Sequence, residues 1–178
     1  MSTAKSKPGK GRIRALVRRG SEAGKRPRSA PAGAAPPERS VCRICGADYA
    51  RRTWRRRQLA VPGAKPAAPA LCPACAQVRR QEAFGSVVAS GPFIGQNRAE
   101  IRRRIRNVCR RAEFTQPQRK LVSLRLETNE LEIRTTSQKL AHRIGAELGK
   151  AFGGRVSYHW IDRDGTLRAV WEPRVRPA

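Results

Sequence analysis

Four of the five cysteines fall in two pairs of one pattern, Cys42-Arg-Ile-Cys45-Gly46 and Cys72-Pro-Ala-Cys75. Two intervening residues let both thiolates of a tight turn face one ion, and two such turns supply a tetrahedral set. Gly46 suits the positive φ of a metal knuckle, and Pro73 stiffens the second turn. The 26 residues between the pairs exceed the usual spacing, which a loop or hairpin absorbs. Four sulfur ligands leave no open position for water. The chemistry indicated is therefore structural: one zinc ion held by Cys42, Cys45, Cys72 and Cys75. An iron–sulfur cluster and a redox dithiol are the other uses of such pairs. A redox motif needs one pair after a strand in a thioredoxin-like unit, a context this sequence does not offer. Cys109 stands apart, on the apolar stripe of an expected helix, as a buried thiol.

A second kind of chemistry lies in the cations. Arg51, Arg52, Arg55, Arg56 and Arg57 flank Trp54 between the cysteine pairs. Guanidinium groups bind phosphates, and an indole face stacks on an unpaired base. Trp54 can equally pack on the ribbon and shield the metal. Arg102, Arg103, Arg106 and Arg110 form a further candidate phosphate-binding surface. His142 and His159 read as structural. The sequence presents no Ser/His/Asp set, phosphate-cradling Gly loop or paired carboxylates, so the expectation is a protein that is not an enzyme.

The elements that position these residues are constrained by composition. The 178 residues carry 39 Lys+Arg against 13 Asp+Glu, a formal net charge of +26, with 39% hydrophobic and 5% aromatic residues. No large core is available. No apolar run reaches the ~20 residues that cross a bilayer, and the N-terminus lacks a secretory apolar segment, so a cytoplasmic protein is expected. The charge is graded. Residues 1–40 hold 11 cations and 2 acids, 41–80 hold 9 and 1, 81–120 hold 9 and 3, and 121–178 hold 10 and 7. The excess indicates a polyanionic partner, nucleic acid above all.

The pattern predicts a small α+β protein. Residues 1–40 form a disordered basic tail, too poor in apolar residues to repay ordering. Residues 41–95 form the four-cysteine zinc ribbon and a connector from Gly85 to Gly95. Residues 96–118 form one Arg-rich amphipathic helix, with Asn97 and Glu100 as its capping pair and Ile101, Ile105, Val108 and Ala112 as its stripe. Residues 119–173 read β-β-α-β-β, a four-stranded antiparallel sheet crossed by a helix. Its strands alternate Val122, Leu124, Leu126; Leu131, Ile133, Thr135; Val156, Tyr158, Trp160; and Leu167, Ala169, Trp171. Its helix is capped by Ser137, carries Leu140, Ile144, Leu148 and Phe152, and stops at Gly153-Gly154. Asp164-Gly165 makes the last hairpin turn. Residues 174–178 are a short tail.

Several of these segments together resemble a known family. Cys42-x-x-Cys45-Gly46, Trp54, Cys72-Pro-x-Cys75, Ser90-Gly-Pro-Phe93, Asn97-Arg-Ala-Glu100-Ile101 and Arg106-Asn107-Val108 look like a family of small bacterial zinc-ribbon proteins. These in turn are similar to the N-terminal domain of the archaeal and eukaryotic large-ribosomal-subunit export adaptor of the nonsense-mediated-decay type. Thr135-Thr136-Ser137, Ala141 and Ile144-Gly145 resemble the region after the ribbon in that adaptor. The resemblance covers about residues 41–172 and implies attachment to ribosomal RNA or a ribosomal subunit. The adaptor's additional cysteine pairs and downstream RNA-binding barrels have no counterpart in these 178 residues, so its export role is not expected here. A DNA-binding regulator and a protein-interaction adaptor, docking a partner on the C-terminal module, are the competing functions.

Overall fold

The computed structural model describes residues 36, 37, 39–56, 67–161 and 165–174. The expected disordered tail lies outside these, apart from a few residues next to Ser40. So do Arg57, Asp164 and residues 175–178. The fold is mixed α+β, with four helices and two sheets among the described residues.

The first sheet is a miniature of four three-residue strands: β1 (Ser40–Cys42), β2 (Asp48–Ala50), β3 (Thr53–Arg55) and β4 (Ala68–Ala70). Their order is β3-β2-β1-β4, with β1 antiparallel to β2 and parallel to β4. Helix α1 (Pro73–Arg79) follows at once, with Pro73 in its first turn. That position suits proline, because its missing N–H would have no helical partner there.

The second sheet has five strands: β5 (Gly85–Ser90), β6 (Leu121–Leu126), β7 (Glu130–Thr135), β8 (Arg155–Ile161) and β9 (Thr166–Glu172), in the order β6-β7-β5-β9-β8. Helices α2 (Pro92–Gln96) and α3 (Arg98–Thr115) join β5 to β6, and α4 (Gln138–Phe152) joins β7 to β8. The expected connector at Gly85 is thus a strand, and the central one. It runs antiparallel to β7 and parallel to β9. The four-stranded antiparallel sheet becomes a five-stranded mixed one. Val87 and Ala89 face the core on β5, while Val88 lies on the opposite face. Val88, apolar on the outward face between Ser86 and Ser90, breaks the alternation that marks a strand, and Gly85 and Ala89 add little apolar signal on the inward face.

One core joins β5, β6, β7 and β9 to α3 and α4. Ile101, Ile105, Val108 and Ala112 meet Leu140, Ile144 and Leu148 over Ile133, Leu131 and Trp171. Gly85 is required by close approach: a Cβ there would lie 2.6 Å from the Ala141 Cβ and 2.8 Å from the Ser137 carbonyl oxygen. Ser137 caps α4, its Oγ accepting a bond from the Leu140 N–H at 3.3 Å. Asn97 does not cap α3 in the expected way. Its Nδ2 instead donates to the Phe93 carbonyl at 2.9 Å, closing α2. In β6 a register shift between Leu121 and Ser123 puts Leu121 on the core side with Leu124, and leaves Val122 out of that cluster.

Candidate metal centre and basic surface

The two cysteine turns are held together by backbone before any ion is considered. In the first, the Gly46 N–H donates to the Cys42 carbonyl and the Cys42 N–H to the Ala47 carbonyl, both at 2.8 Å. Gly46 takes φ +69°, the left-handed geometry that closes this knuckle. The second turn is the start of α1, where the Cys75 N–H donates to the Cys72 Sγ at 3.4 Å. The turns are tied across the sheet, because the Arg43 N–H donates to the Ala70 carbonyl at 3.0 Å and the Cys72 N–H to the Cys42 Sγ at 3.5 Å.

The result is a cluster in which the four sulfur atoms lie within 4.8 Å of one another. None of the five cysteines is in a disulfide. Four bonds of ~2.3 Å from a tetrahedral ion place sulfurs about 3.8 Å apart. Cys45 and Cys72 Sγ are 3.8 Å apart. The donor set therefore fits one thiolate-bound ion. Cys42, Cys72 and Cys75 are buried, while Cys45 remains partly exposed.

Local electrostatics divide the thiols. Burial raises the pKa of Cys42, but the N–H groups of Cys45, Cys72 and Ile44 outweigh it and bring the thiol down to about 6. Burial dominates at Cys72, pushed up to about 12, and raises Cys75 further. Beside the cluster stands Lys120, only 8% exposed and paired with Glu113. Burial opposes its charge, yet the Glu113 carboxylate, and then the Cys45 and Cys75 sulfurs, hold its pKa above the usual lysine value. It is a buried cation facing a set of thiolates that would carry net negative charge around a divalent ion. Nothing in the sequence marked this lysine out. Its burial follows from β6 and the Thr136 Oγ1, which accepts the Lys120 N–H at 2.9 Å.

Of its two expected roles, Trp54 takes the packing one. It is 7% exposed and packs with Cys42, Ala47, Cys72, Ala74 and Cys75. Its cross-strand partner Tyr49 lies 5.2 Å away, ring to ring. The indole forms the floor of a very small core and offers no free face to a base.

Arg51, Arg52, Arg55 and Arg56 are exposed. Arg51 and Arg52 form the two-residue turn between β2 and β3 with φ +50° and +60°. Two positive φ values define a tight hairpin that normally takes Asn-Gly. Placing arginine at both positions costs about 1 kcal/mol or more per residue. On α3, Arg102, Arg103, Arg106 and Arg110 are exposed opposite the buried stripe, while Arg98 is occupied by donating to the Leu126 carbonyl at 2.8 Å. Arg102, Arg106 and Arg110 recur at i, i+4, so they repel one another along one face. The helix has no cation in its last turn, where Glu113 sits. Glu100 in the first turn suits the helix dipole, whereas an acid in the last turn does not.

Phe114 was not singled out by its sequence pattern. It falls off the stripe ending at Ala112, and that phase error was the available signal. It is 58% exposed, with the Arg56 guanidinium carbon 3.6 Å above its ring centre. His142 stacks on Tyr158 at 4.3 Å, and the Tyr158 hydroxyl donates to the His142 carbonyl. Cys109 is buried, with burial and then Glu113 raising its thiol to about 11. No helix among the described residues is long and apolar enough to cross a membrane.

The class defined by fold and site is a mixed α+β protein with a four-cysteine cluster able to hold a metal ion. No family model matches this chain, nor does any curated protein or any solved structure.

Proposed function

We propose that this chain is a non-enzymatic, cytoplasmic zinc-ribbon protein that binds RNA, attached to the ribosome or a ribosomal subunit. Zinc at Cys42, Cys45, Cys72 and Cys75 fixes the ribbon. Arg51, Arg52, Arg55 and Arg56, with Arg102, Arg103, Arg106 and Arg110 on α3, contact phosphates. The observation that carries the reading is the electrostatics of α3. Seven arginines against two glutamates sit on one helix, with Arg102, Arg106 and Arg110 spaced to repel and no cation in the last turn. Such an arrangement weakens an isolated helix and strengthens one laid against a polyanion. The two arginines at positive φ on the β2–β3 turn point the same way, because backbone strain is retained there to present cations. The closed four-sulfur set supports a structural ion, since it leaves no position for a reacting water.

The test is sedimentation of the tagged protein through sucrose gradients with ribosomes, at low and at raised salt, alongside metal analysis of the reduced protein. Co-migration that salt reverses, with stoichiometric zinc, is the expected result. Recovery only in ribosome-free fractions at low salt would refute ribosome attachment. A stronger shift with duplex DNA than with ribosomal RNA would favour the regulator. The protein-adaptor reading has its own support, in Trp160 and Ile161, exposed at 60% and 42% on the edge strand β8.

A further inference from the structure

The burial of Trp54 leaves the basic surface without the aromatic face that recognition of unpaired RNA uses. Such a face exists elsewhere. Where the ribbon meets the end of α3, a cleft of about 430 Å³ is lined by Cys45, Gly46, Arg56, Arg110, Phe114 and Pro117. Its size is within the range of small-ligand sites. Phe114 is a large apolar side chain left 58% exposed, and the Arg56 guanidinium carbon lies over it, 3.6 Å from the ring centre. Arg110 stands one helical turn before Phe114 and opens onto the same cleft. Glu113, the acid at this site, is already paired with Lys120.

We infer that this seam is a binding site for a single unpaired RNA nucleotide, whose base stacks on the Arg56–Phe114 pair and whose phosphate is held by Arg110. The inference rests on the RNA-binding reading and specifies its form. Both a guanidinium plane and a phenyl ring present π faces to a base, so a base can stack on either member of the pair. The adjoining arginine supplies the charge that a phosphate needs, and the cleft is open to solvent. The position next to Cys45 makes the site depend on the cysteine cluster, because the knuckle at Gly46 forms one wall. A regular duplex keeps its bases stacked internally and gains no stack from this site.

The experiment compares the full zinc-loaded chain with Phe114→Leu and Phe114→Trp, using a short single-stranded RNA and a duplex RNA of equal length. Phe114→Leu keeps an apolar side chain over the seam and removes the aromatic face. It should weaken single-strand binding by roughly fivefold to a hundredfold, the range for losing one base–aromatic stack. The salt dependence should stay parallel to wild type, because the lost contact is not ionic. Duplex binding should stay within twofold, and Phe114→Trp should bind at least as well as wild type. Zinc content and thermal melting of both variants check that the seam still packs. Single-strand affinity within twofold of wild type in Phe114→Leu overturns the site while leaving RNA binding through the arginines intact. Equal losses on single strand and duplex also overturn it, by showing that Phe114 only packs the seam. Absence of RNA binding by the wild type at low salt overturns both this site and the function it rests on.

Discussion

Replacing Arg102, Arg106 and Arg110 together by glutamine tests the electrostatic reading of α3. The three lie on one exposed face and are not needed by the core, which uses Ile101, Ile105, Val108, Cys109 and Ala112. Glutamine has nearly the helix propensity of arginine, so intrinsic helicity is preserved. Removing the two i, i+4 repulsions should raise helix stability by about 0.2–0.5 kcal/mol each. The folded state should therefore melt at or slightly above the wild-type temperature. Binding should move the opposite way. Each neutralised phosphate contributes roughly 0.7 to the slope of log affinity against log salt on single strands, and about 0.9 on duplexes. Three lost contacts lower the slope by about two units, which is about a hundredfold in affinity near 0.1 M salt. Fluorescence anisotropy with labelled ribosomal RNA fragments across a salt series reads both numbers. A slope parallel to wild type would refute phosphate contact by this face. Loss of affinity together with a lower melting temperature would mean that the arginines are structural.

Adding zinc to the metal-free protein at neutral pH should release protons from both Cys72 and Cys75, whose thiols burial holds protonated there, while Cys42 at about 6 has already lost most of its own. Calorimetry in buffers of different ionisation enthalpy measures this, and a proton-neutral association would contradict it. The sign also requires metal affinity to fall as pH falls, because protons then compete for all the sulfurs. Lys120→Met should weaken zinc binding by about tenfold or more in chelator competition, since it removes the buried cation facing Cys45 and Cys75; unchanged affinity would show that its charge does not reach the ion. Arg51→Asn with Arg52→Gly should raise ribbon stability by about 1–2 kcal/mol and weaken RNA binding. Hydrogen exchange over residues 39–56 reads the first effect, and a variant that gains neither protection nor stability would discount the strain. Gly85→Ala should cost about 2–3 kcal/mol by driving a methyl group into Ala141 and Ser137, seen as a lower denaturation midpoint; a neutral outcome would mean that α4 can move away.

Some of this was legible in the chain and some was not, for identifiable reasons. The cysteine pairs were readable because metal-ligand spacing is set by local turns, and local geometry survives in sequence. The stripe Leu140, Ile144, Leu148 was readable because a strongly amphipathic helix repeats its apolar positions. Strand β5 was hidden because Val88 on its outward face and the small Gly85 and Ala89 on its inward face blur the alternation, and Gly85, Gly91 and Pro92 resemble loop punctuation. The register shift in β6 was hidden because Leu121 and Val122 are both apolar, so neither face declares itself. Strand β4 could not be foreseen from Ala68-Pro69-Ala70, which pairs in parallel with β1 so that a cysteine turn follows each strand at the same end. Lys120 was invisible because its burial depends on three separate elements meeting.

The central place of β5 carries a consequence for how the chain is made. Its two neighbours come from far along the sequence, since Gly85 pairs with Thr135 on one side and Leu167 on the other. Loops of that length close slowly. The ribbon strands and cysteines lie between Ser40 and Arg79, so most of their pairing is within reach as soon as that segment has emerged. During synthesis β5 then waits, with Val87 and Ala89 uncovered and one edge unpaired, until β9 arrives, last of the strands among the described residues. Exposed edges of this kind recruit other chains. A chain interrupted before Thr166 should therefore aggregate through β5, where the parallel partner is missing, rather than persist as a shortened but soluble sheet.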